Sequence, residues 1–528
     1  MFRTTVHKLV VCAAVASLSA PVWANELKIG VASEPTSIDP HFNLLTPNEQ
    51  LRKHVFEALT GYDELRRVKP VLAESWKPVS PKVWEFKLRK DVKFHDGTPF
   101  TAQDVIYSLC RVSKVVNSPS SYSIAIKSVV NAKATDPYTL QLETATVYPL
   151  LPNDLSKIGI ISAKLNNGES TTFNKDGCEG SSWPATKDFN SGKLAVGTGP
   201  FKFAEFVSGS RVVLTQNDQY WGGKPHWTKV VFRPIPNEGP RVAALLSGDV
   251  DIIESPPAQD AARIRGDARF RIASEKTARV IYLSADVGPN NPAVVGGGNP
   301  FKDVKVREAV SRAIDRQAIS EKIMGGFSVP AMQLMYGSED SKAKGWYNPA
   351  RAKELLAEAG YPKGFEVTLA GPNNRYTNDE QIVQAIAQML TAVGIKTNVN
   401  LMTASVFFSK RAKGEHGFDM SGWLASTGEM SYPLRAIVAT PNKEKGHGTI
   451  NVSKYSNPAI DSLLDQALET LDSIKRRELL QKASDLAMSD FAAIPIHYEV
   501  SLWAMKSNLD YKGRWDQETN AAEIKPAK

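Results

Sequence analysis

Residues 92–105 read Val92-Lys93-Phe94-His95-Asp96-Gly97-Thr98-Pro99-Phe100-Thr101-Ala102-Gln103-Asp104-Val105. Val92 and Phe94 alternate with a polar residue, the period of a half-buried strand. Asp96-Gly97 closes a turn that needs a permissive backbone. Thr101 and Asp104 have capping-box spacing, with Asp in place of the usual Glu, so the spacing predicts a helix from Thr101 to Arg111. Just upstream, Val83 to Leu88 alternates in the same way, and the two runs together read as a hairpin. Trp84, Phe94 and Phe100 are large enough to pack that hairpin on the helix. His95-Asp96 can also be read as a metal or acid–base pair, but no third ligand lies nearby, and a packed imidazole beside a turn is the better reading.

Outward from this stretch, strand and helix patterns alternate, which argues for a mixed α/β architecture. Leu27 to Ala32, Arg211 to Thr215, Lys229 to Pro234, Ile395 to Leu401 and Ile494 to Met505 read as strands. Val306 to Met324 places Val306, Val310, Ala313 and Ile314 on one helical face. Asn348-Pro349 and Gly360 bracket a helix over Ala350 to Ala359. Asn378 to Val393 is a second helix, and Ser456-Asn457-Pro458 opens a third. The strand–helix–strand order from Phe365 to Leu401 suggests a parallel pair with a crossover helix. Lys175 to Lys193 is rich in Gly, Ser, Asp and Asn and reads as a loop.

The first 24 residues read as a removable secretory leader. Arg3 and Lys8 precede the apolar run Leu9 to Leu18, and Val22-Trp23-Ala24 supplies small residues at the cleavage positions. The run is shorter than the roughly twenty residues a membrane span needs. Cys12 lies within it and is discarded with it. Of the 528 residues, 42% are hydrophobic and 23% charged, as in ordinary globular chains. The net charge is +8, or +6 without Arg3 and Lys8. The basic residues are dispersed, with no tract interleaved with aromatics, so nucleic acid is not an expected partner. Of three cysteines, Cys110 and Cys178 remain after the leader. They are candidates for a disulfide in an oxidising compartment, the alternative being two separate thiols. There is no Cys-x-x-Cys and no His/Cys cluster, so no metal site and no cofactor are expected.

The motifs fall in an order that resembles the family 5 extracellular solute-binding proteins, the dipeptide, oligopeptide and nickel-binding group. Leu72-Ala73-Glu74-Ser75-Trp76 and Trp84-Glu85-Phe86-Lys87-Leu88-Arg89 precede the 92–105 stretch. Gly197-Thr198-Gly199-Pro200-Phe201, Asn217, Tyr220-Trp221 and Gly248-Asp249-Val250-Asp251 follow. Phe301 to Ala309 and Ala313-Ile314-Asp315 complete the series. Where the family usually has glycine before the valine, this chain has Asp91, which affects only a local turn. The resemblance implies an α/β, two-lobed periplasmic-binding-protein fold (class II, cluster C type) with an extra subdomain on lobe I and a two-strand hinge. It places lobe I at 25–55, 195–275 and 495–528, the subdomain at 56–194 and lobe II at 276–494. It also implies a monomeric, periplasmic, non-enzymatic component of an ABC importer. Such a protein closes on a peptide or other small zwitterionic or acidic solute and delivers it to inner-membrane permease subunits.

The same resemblance points to site residues. In peptide-binding relatives an aspartate three residues after a tryptophan pairs with the ligand's amine. The matching tryptophan is Trp423, and the third residue after it is Ser426, which offers a hydrogen bond but no charge. Glu429 or Glu34 could replace the missing carboxylate. An arginine before the long lobe II helix holds the ligand carboxylate in dipeptide-binding relatives; Arg375 lies in that neighbourhood and suits a bidentate anion. Tyr376 and Trp423 can stack on a ligand, or simply pack the core. The missing aspartate leaves an opine, sugar-acid, glutathione-like or nickel-chelate ligand as the alternative to a peptide. A secreted hydrolase is the less favoured class, since neither Gly-x-Ser-x-Gly nor His-Glu-x-x-His occurs.

Overall fold

In the computed structural model, residues 25–336 and 345–527 are described. The leader expected over 1–24, with Cys12, lies outside them. Among the described residues eleven strands form one sheet. At one end Glu26–Val31 runs parallel to Lys229–Pro234 and Ile252–Glu254, flanked by the antiparallel hairpin Phe201–Val207 and Arg211–Gln216. At the other end Phe365–Pro372 lies parallel to Ile395–Met402, joined by the helix Asp379–Ala392. That is the crossover unit the sequence predicts. Asn348 caps the helix Pro349–Glu358 by accepting the Arg351 N–H at 2.9 Å.

Two long strands join the ends. Phe270–Ala285 and Ile494–Lys506 pair antiparallel over almost their whole length. The first half of Phe270–Ala285 lies at the end of the sheet that holds Glu26–Val31. Its second half, Arg279–Ala285, pairs with Phe418–Leu424 at the other end. The register slips between Lys276 and Val280, at the crossing. Such a bulge leaves residues unpaired and lets the strand bend. Each side has its own apolar core. One is built on Leu27, Ile29, Phe201, Leu214 and Val230; the other on Val306, Val310, Leu369, Ile382, Ile386 and Ile395. A small cluster of Tyr62, Ala278, Ala425 and Trp515 sits at the crossing. Two lobes with separate cores and two shared strands result.

A second, six-stranded sheet of residues 73–179 packs beside the first lobe. Here the expected 83–88/92–94 hairpin is corrected. Val83–Leu88 pairs with Ala73–Ser80 and Thr139–Thr144, and Val92–Phe94 contributes only an isolated bridge from Lys93 to Pro99. Phe86, Phe94 and Phe100 are at most 2% exposed and pack on the helix Ala102–Val112. Burying each contributes about 2 kcal/mol. Asp104 accepts the Thr101 N–H at 2.7 Å, as the spacing predicts.

Cys110 and Cys178 form a disulfide, Sγ–Sγ 2.07 Å. The bond attaches this helix to a short hairpin, Thr172–Asn174 with Gly177–Glu179. The hairpin's second strand and the helix Thr186–Asn190 interrupt the 175–193 stretch, the rest of which is the loop expected. The expected helix over 306–324 is likewise interrupted. Val304–Ala313 ends at Ile314, and Asp315 restarts the chain by accepting the Ala318 N–H at 2.9 Å.

The His95 ring is structural. It accepts the Gly197 N–H at 3.3 Å and faces the Gly199 carbonyl at 3.0 Å, and burial lowers its pKa to about 4, leaving it neutral. A Cβ on Gly197 would lie 1.9 Å from the Val55 carbonyl oxygen, and one on Gly199 2.5 Å from that of His54. The Gly-x-Gly-Pro-Phe motif therefore serves close backbone packing. No helix among the described residues is long and apolar enough to cross a membrane.

Candidate functional site

A cleft of about 710 Å³ opens between the second lobe and the domain carrying the smaller sheet. That volume falls within the range of small-ligand sites. One wall comes from the hairpin Thr60–Tyr62/Val68–Pro70, from Trp76 and Trp84, and from the turn of helix at Pro152 and Asn153. The other comes from Met335 and Tyr336, the segment Gly428–Met430, and the helix Ser473–Ser489.

Charge in the cleft is lopsided. Arg66, Arg67, Arg476 and Arg477 line it, with Glu429 as the one carboxylate. Glu429 is already engaged: it accepts from Arg476 Nε at 2.7 Å and from the Ser431 hydroxyl. Arg67 pairs with Asp63 at 2.8 Å on the surface. Among the described residues, Arg66 and Arg477 have no carboxylate within salt-bridge distance. Arg66 instead donates to the carbonyls of Lys276 (2.9 Å) and Thr277 (3.2 Å), where the crossing strand loses register. Its guanidinium lies 5.4 Å from the Tyr336 ring centre and 5.8 Å from that of Trp515. Burial lowers its pKa below the ordinary arginine value, with Glu275 opposing. The backbone at Arg66 is left-handed, φ 64°, a conformation non-glycine residues adopt at some cost.

The two walls already touch. The Thr427 carbonyl accepts from Tyr62 Oη at 3.2 Å and from Asn153 Nδ2 at 3.0 Å. Gly428, φ +66°, sits so tightly that an added Cβ would lie 2.7 Å from the Arg66 carbonyl oxygen. Near this seam two buried polar atoms have no hydrogen-bond partner, Trp423 Nε1 and Thr427 Oγ1.

The residues singled out from sequence are scattered by the fold. Glu429 lines the cleft. Ser426 lies two residues before Gly428, facing the Tyr432 hydroxyl. Trp423 packs its ring against Tyr432, centroids 5.1 Å apart, beside the second lobe's helical core. Tyr376 is 8% exposed and its hydroxyl accepts the Gly422 N–H at 2.8 Å, so its ring belongs to the core. Arg375 is exposed, with its guanidinium 5.3 Å from the Tyr376 ring and no contact to the cleft. Glu34 is turned toward the first lobe's own hairpin, accepting from Gly209 N–H at 2.6 Å and the Ser208 hydroxyl at 3.1 Å. Sequence reasoning missed Arg66 and Arg476. The available signal was the doublets Arg66-Arg67 and Arg476-Arg477, the second on a helix.

Two lobes joined by a pair of crossing strands, with a ligand-sized cleft between the second lobe and the domain packed beside the first, define a bilobed solute-binding protein. The chain belongs to the bacterial extracellular solute-binding proteins, family 5, whose middle-region profile matches residues 67–445. Members of this family are the substrate-binding components of ABC importers, and that is the class of function this chain carries. Its curated relatives include the glutathione-binding protein GsiB of Escherichia coli O1:K1, 29% identical over 496 residues, covering 92% of this chain and 91% of the relative. Among solved structures, the unliganded open form of the periplasmic murein tripeptide-binding protein MppA aligns at TM-score 0.77 and 23% identity, covering 96% of this chain and 98% of its own. The binding protein AgaA of A. tumefaciens R10, in complex with agropinic acid, aligns at TM-score 0.69 and 25% identity, covering 95% and 99%.

Proposed function

We propose that this chain captures an acidic, peptide-sized solute in the interlobe cleft, with a glutathione-like peptide as first choice, and presents it in the periplasm to ABC permease subunits. The arginine excess carries the reading. With Glu429 neutralised by Arg476, the cleft holds two guanidiniums without carboxylate partners and no free anion, so a ligand bearing carboxylates supplies the missing charge. The GsiB relatives support a glutathione-type peptide within that class. An opine acid is the second reading, favoured by the AgaA likeness and by the same guanidiniums. Nothing in the cleft calls for bond cleavage, and we read the protein as a monomeric binder and not an enzyme. The moving units are 25–55 with 195–275 and 495–528 against 276–494, the 56–194 subdomain travelling with the first.

Thermal-shift measurements on the purified protein test this. Glutathione at a hundred times its dissociation constant is expected to stabilise the protein by about 2.7 kcal/mol, and zwitterionic, net-neutral trialanine at the same concentration markedly less. Equal stabilisation by trialanine would overturn the acidic-ligand reading. A shift with agropinic acid and none with glutathione would select the opine.

A further inference from the structure

We infer that the solute carries a large apolar group beside its carboxylates, and that Trp76, Trp84 and Leu471 form the subsite that takes it. The inference rests on the acidic-peptide reading above and deepens it, by naming the kind of side chain such a peptide bears. The smaller sheet runs from its edge strand Ala73–Ser80 through Val83–Leu88 and Thr139–Thr144 to Val129–Asp136. The helix Ala102–Val112 packs over strands away from that edge, Val129–Asp136 and Thr172–Asn174. At the edge strand the sheet's apolar face meets the cleft instead, and Trp76 and Trp84 line it. Trp76 is half-buried and stacks on its cross-strand neighbour Phe86, centroids 6.5 Å apart. Trp84 donates its Nε1–H to the Tyr148 carbonyl at 3.2 Å, which fixes the ring.

The second lobe completes this wall. Leu471, just before the helix Ser473–Ser489, lines the cleft and packs on the smaller sheet's core. Leu480 of that helix lines the cleft as well. Three amides of the lining are already engaged. Asn153 Nδ2 donates to the Thr427 carbonyl at 3.0 Å, Gln333 Oε1 accepts from the Ser484 hydroxyl at 2.5 Å, and Gln481 Nε2 donates to Asp485 at 2.9 Å. What the cleft chiefly offers a ligand is therefore guanidinium and apolar surface within one cavity. The cysteine side chain of glutathione is small and would leave indole surface facing water. A ring or a branched alkyl chain at that position buries it, and aromatic pairs add to the gain. At about 710 Å³ the cleft lies in the upper half of the roughly 300–1,000 Å³ range of small-ligand sites. Such a group can be an ordinary apolar side chain or a substituent on a thioether sulfur, and its burial is the same chemistry in either case.

Calorimetric titration with three probes of the same charge tests this: glutathione, its S-benzyl thioether, and γ-glutamyl-phenylalanyl-glycine. Wild type is expected to bind at least one ring-bearing probe about tenfold or more tighter than glutathione, as for the burial of one aromatic group. Titrations at several temperatures should give that probe the more negative heat-capacity change. The tighter of the two tells whether the ring hangs on sulfur or on carbon. Trp76→Ala is expected to bring the ratio of ring-bearing to glutathione affinity to within about threefold of unity. A second variant, Leu471→Ala, lies outside the sheet and is expected to lower the same ratio. Equal affinity and equal heat-capacity change of wild type for all three probes, or a ratio unchanged in both variants, overturns the apolar subsite alone. Failure of all three probes to bind wild type overturns the acidic-peptide reading and the subsite with it.

Discussion

Gly428 is the residue on which the seam between the lobes depends most directly. Its φ of +66° is one that a side chain adopts only with strain, and its missing Cβ leaves room for the Arg66 carbonyl. Gly428→Ala should therefore prise the walls apart without disturbing either core. The expected outcome is a loss of ligand affinity of about tenfold, equal to about 1.4 kcal/mol, with a ligand-free melting temperature within a degree or two of wild type. Isothermal titration and scanning calorimetry on the same samples check it; a large fall in the ligand-free melting temperature would make Gly428 a folding residue instead. At this scale the sequence was only partly legible. The loop after Trp423 could be found because a motif marks it. Which of its side chains turns into the cleft depends on how the second lobe meets the 60–70 hairpin, a long-range contact. Arg66 carries only a weak local signature, because an arginine doublet looks like ordinary surface.

Elements were most legible where their ends carry their own chemistry. Asn348-Pro349 and Gly360 bracket the helix Pro349–Glu358, and Gly394 (φ +106°) follows the helix Asp379–Ala392, as cap and stop residues dictate. The misreadings arose where partners are distant. Val83–Leu88 finds its second partner at Thr139–Thr144, more than fifty residues on, so no local pattern could exclude the nearer Val92–Phe94. The 175–193 stretch is polar enough to read as loop. Its hairpin is held from outside by the Cys110–Cys178 bond, and Asn166 Oδ1 captures the N–H groups of Ser181 and Ser182 just beyond it. That bond spans a sequence separation of 68 residues. On the chain-entropy account, closing such a loop stabilises by about 4 kcal/mol. Replacing both cysteines by serine should lower the denaturation midpoint accordingly. Limited proteolysis should then cut first within 172–190, while ligand affinity stays within about twofold. Unchanged stability in the double variant would show that the reduced chain is already restrained by its own packing.

At the scale of the whole molecule, Arg66 links three parts that must move relative to one another. It belongs to the hairpin bordering the cleft, donates to the crossing strand at its register break, and lies between a ring of the second lobe, Tyr336, and one from the C-terminal segment, Trp515. Each guanidinium bond to a hinge carbonyl, together with the two ring contacts, favours the arrangement in which hairpin and second lobe are close. The hinge is loosened on one side, since Thr277 to Arg279 have no partner on Ile494–Lys506, while Arg279 pairs with Leu424 on the other. The balance between open and closed forms therefore rests on a few contacts of this kind plus those of the ligand, and a ligand can shift it only by its differential affinity for the closed form. Arg66→Ala should tip the ligand-free protein toward the open form. Small-angle scattering is expected to show a larger radius of gyration for the variant than for wild type without ligand, and the same compact value for both at saturating ligand. Affinity should fall by more than the loss of one carboxylate contact, because the competent state is rarer before binding. Identical ligand-free scattering curves would mean that Arg66 acts on the ligand alone, and that closure is set by the Thr427 and Gly428 contacts without it.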